Sequence, residues 1–156
     1  MPATAATALD AFEADLLSGG VATRVLEAWS GGPVHAAVER GTIVTASIQT
    51  RVRLGVGPDA PLGFRRVRLM RGDVVLSQAD NWFVPDRLSA DMRIALEQTD
   101  IPFGVVIAPL DPHRETRMCE RLNGDPVLRI SALVLAADGT PLAEVVEDYA
   151  GAVLGF

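Results

Sequence analysis

The sequence predicts an α+β domain in which helices cover one face of an antiparallel sheet. Its first thirty residues repeat apolar positions at helical spacing, whereas later segments alternate apolar and polar residues with the period of a strand. A strong turn signal, Asp-Gly-Thr-Pro at residues 138–141, joins two long runs of this second kind. Helices first, then about five antiparallel strands with further helices inserted, give this layered class.

The N-terminal part is predicted to form two helices. Leu9 and Phe12 recur at helical spacing, with acidic residues between them. The Ser-Gly-Gly sequence at residues 18–20 breaks this pattern. A second helical piece over residues 21–29 follows, and the Gly-Gly-Pro sequence at residues 31–33 ends it.

The central part is predicted to form three strands. Residues 42–54 place apolar side chains on one face and Thr, Ser, Gln and Arg on the other, as in a half-buried strand. Two further strands, at residues 64–70 and 74–83, flank an Arg-Gly-Asp sequence and read as a hairpin. Pro85 stops the second of them, because proline lacks the N–H that a strand would use.

The C-terminal part combines helical turns with a second hairpin. Ser89 is a good N-cap for a helix over residues 90–98, and Pro102 begins a short helical turn that reaches Ile107. After a polar stretch at residues 111–123, which we expect to be irregular, two long strands follow. These strands span residues 127–136 and 142–152.

The composition is that of one globular domain. The chain has 156 residues, of which 49% are hydrophobic and 22% charged. A chain of about 150 residues can bury roughly 70% of its extended surface without disulfides or metals. We therefore predict a single domain over residues 1–156 and exclude disorder.

The net charge and the lengths of the apolar runs indicate which classes of binding partner to expect. The net charge is −6, whereas a nucleic-acid-binding surface needs a basic footprint. No apolar run approaches the length of about 18 residues that a membrane span requires. We therefore expect no nucleic acid and no membrane as partner, while the oligomeric state stays open. A local arginine cluster can still hold a small anion.

Cysteine and histidine are scarce. Cys119 is the only cysteine, and His35 and His113 are the only histidines. The chain can therefore form no internal disulfide, and we expect no metal site. The N-terminus lacks the basic and apolar regions of a signal peptide, so we predict a cytoplasmic protein.

The sequence contains no phosphate loop, dinucleotide fingerprint or nucleophile elbow, which leaves carboxylates and arginines as candidates for chemistry. In the last strand, Glu147 shares a face with Tyr149, and Glu144 lies on the other face. Both faces mix apolar and acidic residues, so alternation leaves open which carboxylate points inward. A buried glutamate would have a raised pKa suited to proton transfer, whereas a solvated edge carboxylate gives the same pattern.

Arginines form a second candidate set. Arg66 and Arg68 lie on one face of the predicted strand at residues 64–70, opposite Val67 and Leu69. Two guanidinium groups at this spacing can hold a ligand that carries carboxylates. A charged outer face of the sheet accounts for the pattern equally well, so spacing alone leaves the function open.

Three segments resemble the chorismate pyruvate-lyase family, in the same order and at similar spacing. They are FRRVRL at residues 64–69, TDIPFG at residues 99–104 and GTPLAEVVE at residues 139–147. Together the matches extend over residues 63–156. The resemblance implies the lyase fold, in which an antiparallel sheet and helices enclose an internal ligand cavity.

The resemblance also implies an activity, the elimination of pyruvate from chorismate to leave 4-hydroxybenzoate, without any cofactor. In that mechanism Arg66 would hold a ligand carboxylate and Glu147 would relay a proton. The other residues expected at the substrate lie on the hairpin or at the helical turn. They are Arg68, Asn81, Phe103 and Gly104.

One departure from the family pattern puts the substrate in question. Asn81 or Trp82 stands where the family carries a second arginine, so a second substrate carboxylate lacks its usual partner unless another arginine replaces it. The arginines available for this are Arg68, Arg87 and Arg114.

The departure leaves three hypotheses. The first is a chorismate-cleaving lyase. The second is an enzyme of the same fold that acts on another aromatic or cyclohexadiene carboxylate. The third is a non-catalytic domain that binds an aromatic acid, similar to effector domains of transcription regulators. We see no DNA-binding segment ahead of the domain, so we do not expect a complete regulator.

Overall fold

The computed structural model describes residues 5–18 and 22–156, so the predicted break at Gly19 and Gly20 lies outside the described residues. Within that part of the chain, two helices come first, and strands and further helices follow. From the N-terminus onward they are α1 (Ala5–Leu17), α2 (Ala22–Ser30), β1 (His35–Glu39), α3 (Ile48–Leu54), β2 (Gly63–Arg71), β3 (Val74–Phe83), α4 (Ala90–Gln98), α5 (Phe103–Val106), β4 (His113–Arg121), β5 (Leu128–Leu135) and β6 (Pro141–Tyr149).

The strands form one antiparallel sheet in the order β1-β2-β3-β6-β5-β4. The two predicted hairpins are present, β2 with β3 and β5 with β6, and β6 inserts beside β3. The predicted α+β class is therefore confirmed. Among the described helices, none is long and apolar enough to span a lipid bilayer.

Residues paired in an antiparallel ladder project to the same side of the sheet, so the register defines two faces. Asn81 pairs with Val145 and Ser77 with Tyr149, and we call this side the Tyr149 face. Trp82 pairs with Glu144, and we call the opposite side the Glu144 face.

Helices α1, α2, α4 and α5 pack on the Tyr149 face, where the core divides into two clusters. The α4–α5 cluster lies at one end of the sheet and includes Phe83, Leu88, Leu96, Phe103, Ile107, Ala132, Val134, Leu142, Ala143 and Val145. The α1–α2 cluster lies at the other end and includes Phe12, Leu26, Leu76, Leu128, Ile130, Tyr149 and Val153. Helix α4 begins as predicted, because the Ser89 hydroxyl accepts a hydrogen bond from the Met92 N–H.

Helix α3 corrects the prediction of a strand at residues 42–54. The Ser47 hydroxyl accepts the Thr50 N–H at 3.1 Å, and Gly55 ends the helix with a φ of +67°. Ile48 and Val52, which the alternation placed on a buried face, are 78% and 73% exposed. The capping residues therefore outweigh the apparent period of two, and α3 packs on the Glu144 face.

Strand β4 corrects a second prediction, because the polar stretch at residues 111–123 is not irregular. All nine residues of β4 are exposed, and the strand pairs with β5 at the edge of the sheet. An edge strand with few buried side chains shows no apolar alternation, and its charges discourage pairing with other chains. This is why the periodicity does not reveal it.

Gly63 is the residue at which the sheet leaves no space for a side chain. A Cβ placed there would lie 2.1 Å from the ring of the buried Phe83. We expect Gly63→Ala to lower the free energy of unfolding by about 1–3 kcal/mol, the usual cost of overpacking a core. Urea denaturation measures this difference.

Gly57 supplies the matched control. A Cβ at Gly57 would meet no atom within 4 Å. Gly57→Ala should therefore change the free energy of unfolding by less than about 0.5 kcal/mol, as surface substitutions usually do. Equal losses for both variants would mean that the contact between Gly63 and Phe83 does not form.

Candidate functional site

A strip of buried polar side chains crosses the Tyr149 face between the two helix clusters. Arg65, Asn81 and Glu147 are 3%, 4% and 8% exposed. Arg65 pairs directly with Asn81, while Glu147 pairs with Ala79 on the next row of the sheet. The backbones of β2 and β6 are two strand spacings apart, about 10 Å. These three side chains therefore lie on one buried surface.

Glu147 is held by three hydrogen-bond donors. Arg114 reaches over from β4 and donates to both carboxylate oxygens, at 3.0 and 2.6 Å, and the Tyr149 hydroxyl donates at 3.1 Å. Burial by itself would lower the pKa of Arg114, but its hydrogen bonds and attraction to Glu147 raise it overall. Burial also raises the pKa of the Tyr149 phenol well above its usual range. The arrangement is a neutral, bidentate ion pair.

Arg65 contrasts with Arg114. Its NH2 group donates to the Thr99 carbonyl at 2.9 Å, whereas its Nε and NH1 groups are buried without a hydrogen-bond partner among the described residues. Burial lowers the pKa of Arg65, and repulsion from Arg40 lowers it further, while attraction to Asp100 partly opposes both effects. Within the described part of the chain, no carboxylate lies within salt-bridge distance of Arg65. The fold therefore contains a buried cation without a direct ion pair among the described residues, because the nearby Asp100 is already paired with Arg40.

A cavity of about 480 Å³ lies beside Arg65, between the β1–β2 edge and helix α4. Its apolar wall is formed by Val38, Leu62, Phe64, Phe83 and Leu96. This volume suits a small organic molecule, and mostly apolar walls with a few polar groups are typical of ligand sites. The cavity is partly open to solvent rather than the closed chamber that the sequence led us to expect.

Charged residues at the rim of the cavity fasten the end of helix α4. Arg40 donates to the carbonyls of Glu97 and Thr99, at 2.6 and 2.8 Å, and pairs with Asp100 at 3.0 Å. The Thr99 carbonyl thus accepts hydrogen bonds from both Arg40 and Arg65. One backbone oxygen therefore ties the cavity wall to the connection between α4 and α5.

The predicted juxtaposition of Arg66 and Glu147 is wrong. Arg66 lies on the Glu144 face, where it donates to Asp80 at 2.7 and 2.9 Å and to Glu39 at 3.5 Å. Its hydrogen bonds to Asp80 raise its pKa. Because side chains alternate along a strand, moving one residue from Arg66 to Arg65 changes the face, and Arg65 is the arginine that shares the surface of Glu147.

The other residues expected at the substrate are divided between the faces. Arg68 lies beside Arg66 on the Glu144 face and donates to Glu39 at 2.9 Å. Asn81 is on the Tyr149 face, and Phe103 packs against Phe83 in the α4–α5 cluster with the ring centroids 6.0 Å apart. Gly104 is exposed on α5. A ligand-binding role for Asn81, Phe103 and Gly104 stays a prediction.

The sequence analysis missed Arg65 at this site, and it missed the pairing of Arg114 with Glu147. Arg65 did leave a signal, because it occupies the same alternation phase as Val67 and Leu69, where a charged residue is unexpected. Arg114 was considered only as a partner for a second substrate carboxylate, and its pairing with Glu147 left no signal because it lies in the polar sequence of an exposed edge strand. Of the two acids that alternation could not separate, both are buried, Glu147 on one face and Glu144 on the other.

Glu144 has a structural role on its own face. Its carboxylate accepts hydrogen bonds from Thr50 and Arg53, both on α3. The acid therefore holds α3 against β6, away from the cavity.

Comparison with known proteins identifies a relative of the chain. The chain is 34% identical, over an alignment 180 positions long, to the uncharacterized protein y4mC of Sinorhizobium fredii (strain NBRC 101917 / NGR234), covering 95% of this chain and 76% of the relative. The chain belongs to the y4mC family. A search against protein-family models gave no match.

Solved structures relate the fold of this y4mC family member to regulator domains. The effector domain of PhnF from Mycobacterium smegmatis superposes with a TM-score of 0.61 and 14% identity, covering 85% of this chain and 90% of that domain. In the structure of PhnF itself, this chain covers 64% of the PhnF chain, with a TM-score of 0.62 and 14% identity. The predicted chorismate lyase-like fold is thereby confirmed.

A third structure gives a partial match. The possible transcriptional regulator YydK from Bacillus subtilis has a TM-score of 0.51 and 12% identity, over 74% of this chain. The y4mC family chain covers 58% of YydK, less than two thirds of its length. At identities this low, the comparison shows the fold and not the function.

Proposed function

We propose that this chain is a small-molecule-binding domain whose ligand is an organic carboxylate bound at Arg65. The observation that carries the proposal is the buried guanidinium, whose Nε and NH1 groups have no acceptor among the described residues. A buried polar group without a partner costs about 1–3 kcal/mol, and more when it is charged. Arg65 also lines the cavity, so a ligand that reaches these groups would supply the missing acceptor.

A carboxylate fits the site by its chemistry. It carries one negative charge and two oxygens that only accept hydrogen bonds, whereas Arg65 only donates them. The apolar wall of the cavity would contact a hydrocarbon or aromatic body attached to the carboxylate. The fold shared with the PhnF effector domain is compatible with a binding domain.

A chorismate-cleaving lyase is the second candidate. What favours it is that Glu147 and Arg65 lie on the same buried surface, as an acid–base group and a carboxylate anchor would need. Against it stand the three hydrogen bonds that hold Glu147 in a neutral pair. A glutamate that relays a proton must exchange these donors for the substrate.

Benzoate and benzamide test the proposal, because they have nearly the same shape and differ in charge. We expect isothermal titration calorimetry to give at least about tenfold tighter binding for benzoate, since only the anion completes the charge of Arg65. Equal affinities would contradict recognition of a carboxylate at Arg65. Binding of neither compound would contradict the choice of a benzoate-like ligand.

Chorismate separates the two candidates. The protein is incubated with chorismate, and pyruvate is measured with a coupled dehydrogenase while 4-hydroxybenzoate is followed by chromatography. Benzoate binding without pyruvate release supports the binding domain. Stoichiometric pyruvate and 4-hydroxybenzoate, above the uncatalysed rate, would support the lyase.

A further inference from the structure

We infer that the Arg65 cavity takes an elongated ligand with an anionic group at each end of an apolar body, and that Arg93 of helix α4 binds the second group. The inference rests on the proposed function, because the first group is the carboxylate bound at Arg65. It adds the chemical class of the ligand and a residue that determines specificity. Arg93 lies outside the three segments that resemble the lyase family.

Arg93 is a half-buried cation that lines the same cavity as Arg65. Within the described part of the chain, its guanidinium forms no salt bridge and no hydrogen bond. Glu97 lies one turn later on α4, but a basic residue that precedes an acidic one is the less favourable order for a helical ion pair. Arg93 is therefore available to an anionic ligand.

The other charged residues at the cavity leave its charge balance positive. Arg40 is neutralised by Asp100, and Glu39 is paired with arginines on the Glu144 face. Among the described residues that line the cavity, the two unpaired arginines and Glu97 remain. The cavity is thus cationic in a protein whose net charge is −6, and such a site attracts a dianion more strongly than a monoanion.

The two cations are separated by an apolar part of the cavity wall. Arg65 donates to the Thr99 carbonyl at the C-terminal end of α4, whereas Arg93 lies six residues earlier, about 9 Å along the helix axis. The Cα–Cβ bond of Arg93 tilts further toward the N-terminus of α4, away from Thr99. The buried Leu96 lies between them and lines the cavity. This order of cation, apolar side chain and cation matches a ligand with an anion at each end.

Terephthalate and 4-carbamoylbenzoate test the inference on the wild-type protein. Both have a carboxylate on a benzene ring, and the group at the opposite end is a second carboxylate in the first compound and a neutral amide in the other. We expect isothermal titration calorimetry to give at least about fivefold tighter binding for terephthalate, because only a charged group gains the attraction of Arg93. Phthalate, whose carboxylates are adjacent, should bind no more tightly than benzoate, because its two anions are too close together to contact both arginines.

Arg93→Gln is the diagnostic variant, and Arg24→Gln is its control. Arg93→Gln should bring the ratio of terephthalate to 4-carbamoylbenzoate affinity to about one, because it removes the charge that distinguishes the two compounds. Arg24 is an exposed arginine on α2 that does not line the cavity and has no salt bridge with any described residue. Its substitution removes the same charge from the protein and should leave the ratio at the wild-type value. Circular dichroism establishes that both variants are folded.

The outcomes separate the inference from the proposed function. Equal affinities of the wild type for terephthalate and 4-carbamoylbenzoate overturn the inference, as does tighter binding of phthalate than of terephthalate, while a preference for benzoate over benzamide still supports the proposed function. A terephthalate preference that persists in Arg93→Gln overturns the role of Arg93. Binding of none of the carboxylates overturns both proposals. Should Arg93→Gln fail to fold, the wild-type ratio decides by the same criterion.

Discussion

Arg65→Gln is expected to stabilise the free protein and to abolish its response to benzoate. The substitution removes a buried charge that has two unsatisfied N–H groups, so the free energy of unfolding should rise by about 1–3 kcal/mol. Benzoate affinity should fall by about 2–5 kcal/mol, because a desolvated carboxylate loses its partner. Thermal denaturation with and without benzoate measures both effects on the same samples.

Arg66→Gln is the matched control, because it makes the same substitution one residue away on the opposite face. It breaks the bidentate contact with Asp80 and should lower the free energy of unfolding by about 1 kcal/mol, while benzoate affinity stays unchanged. A variant set in which Arg66→Gln loses binding and Arg65→Gln keeps it would reverse our assignment of the two arginines.

Glu147→Gln is expected to cause a large loss of stability. The substitution leaves the Arg114 guanidinium on the Tyr149 face without its counter-ion and weakens the hydrogen bond from Tyr149. Removing one partner of a buried pair costs about 3–5 kcal/mol, and the 36% exposure of the Arg114 side chain places the expected value near the lower end. Urea denaturation with a common m-value gives the difference.

A double-mutant cycle with Arg114→Met identifies the source of this loss. We expect the double variant to be more stable than the sum of the single losses predicts, with a coupling energy of at least about 1.5 kcal/mol. Additive losses would show that the two residues do not interact in solution. In a wild type that releases pyruvate from chorismate, loss of that activity in Glu147→Gln would instead assign the acid to catalysis.

The sequence predicted those elements whose signals are local. The hairpin of β2 and β3 has a glycine turn, helix α4 has its Ser89 cap, and the β5–β6 hairpin has the turn at residues 138–141. Helix α3 was mistaken for a strand because Ile48 and Val52 happen to alternate with polar residues, although they face solvent. Strand β4 was missed because its pairing with β5 depends on a partner distant in sequence.

The site was predicted in part. Family resemblance directed attention to Glu147, and the acid is indeed buried, but its pairing with Arg114 depends on strand order, which spacing cannot reveal. The choice of Arg66 over Arg65 failed by one residue. In the RRVR sequence at residues 65–68, arginine lies on both faces of the strand, so only the register with β3 shows which guanidinium is buried.

The buried Glu147 carboxylate depends for its counter-ion on strand β4. Its residue Arg114 neutralises Glu147, yet within the described sheet β4 is an edge strand, hydrogen-bonded along one side. If β4 separated from β5, Glu147 would remain in the interior as an unpaired negative charge. This electrostatic cost opposes local opening of the sheet at its edge. Amide hydrogen exchange in β4 should consequently be slower than the solvent exposure of its side chains suggests.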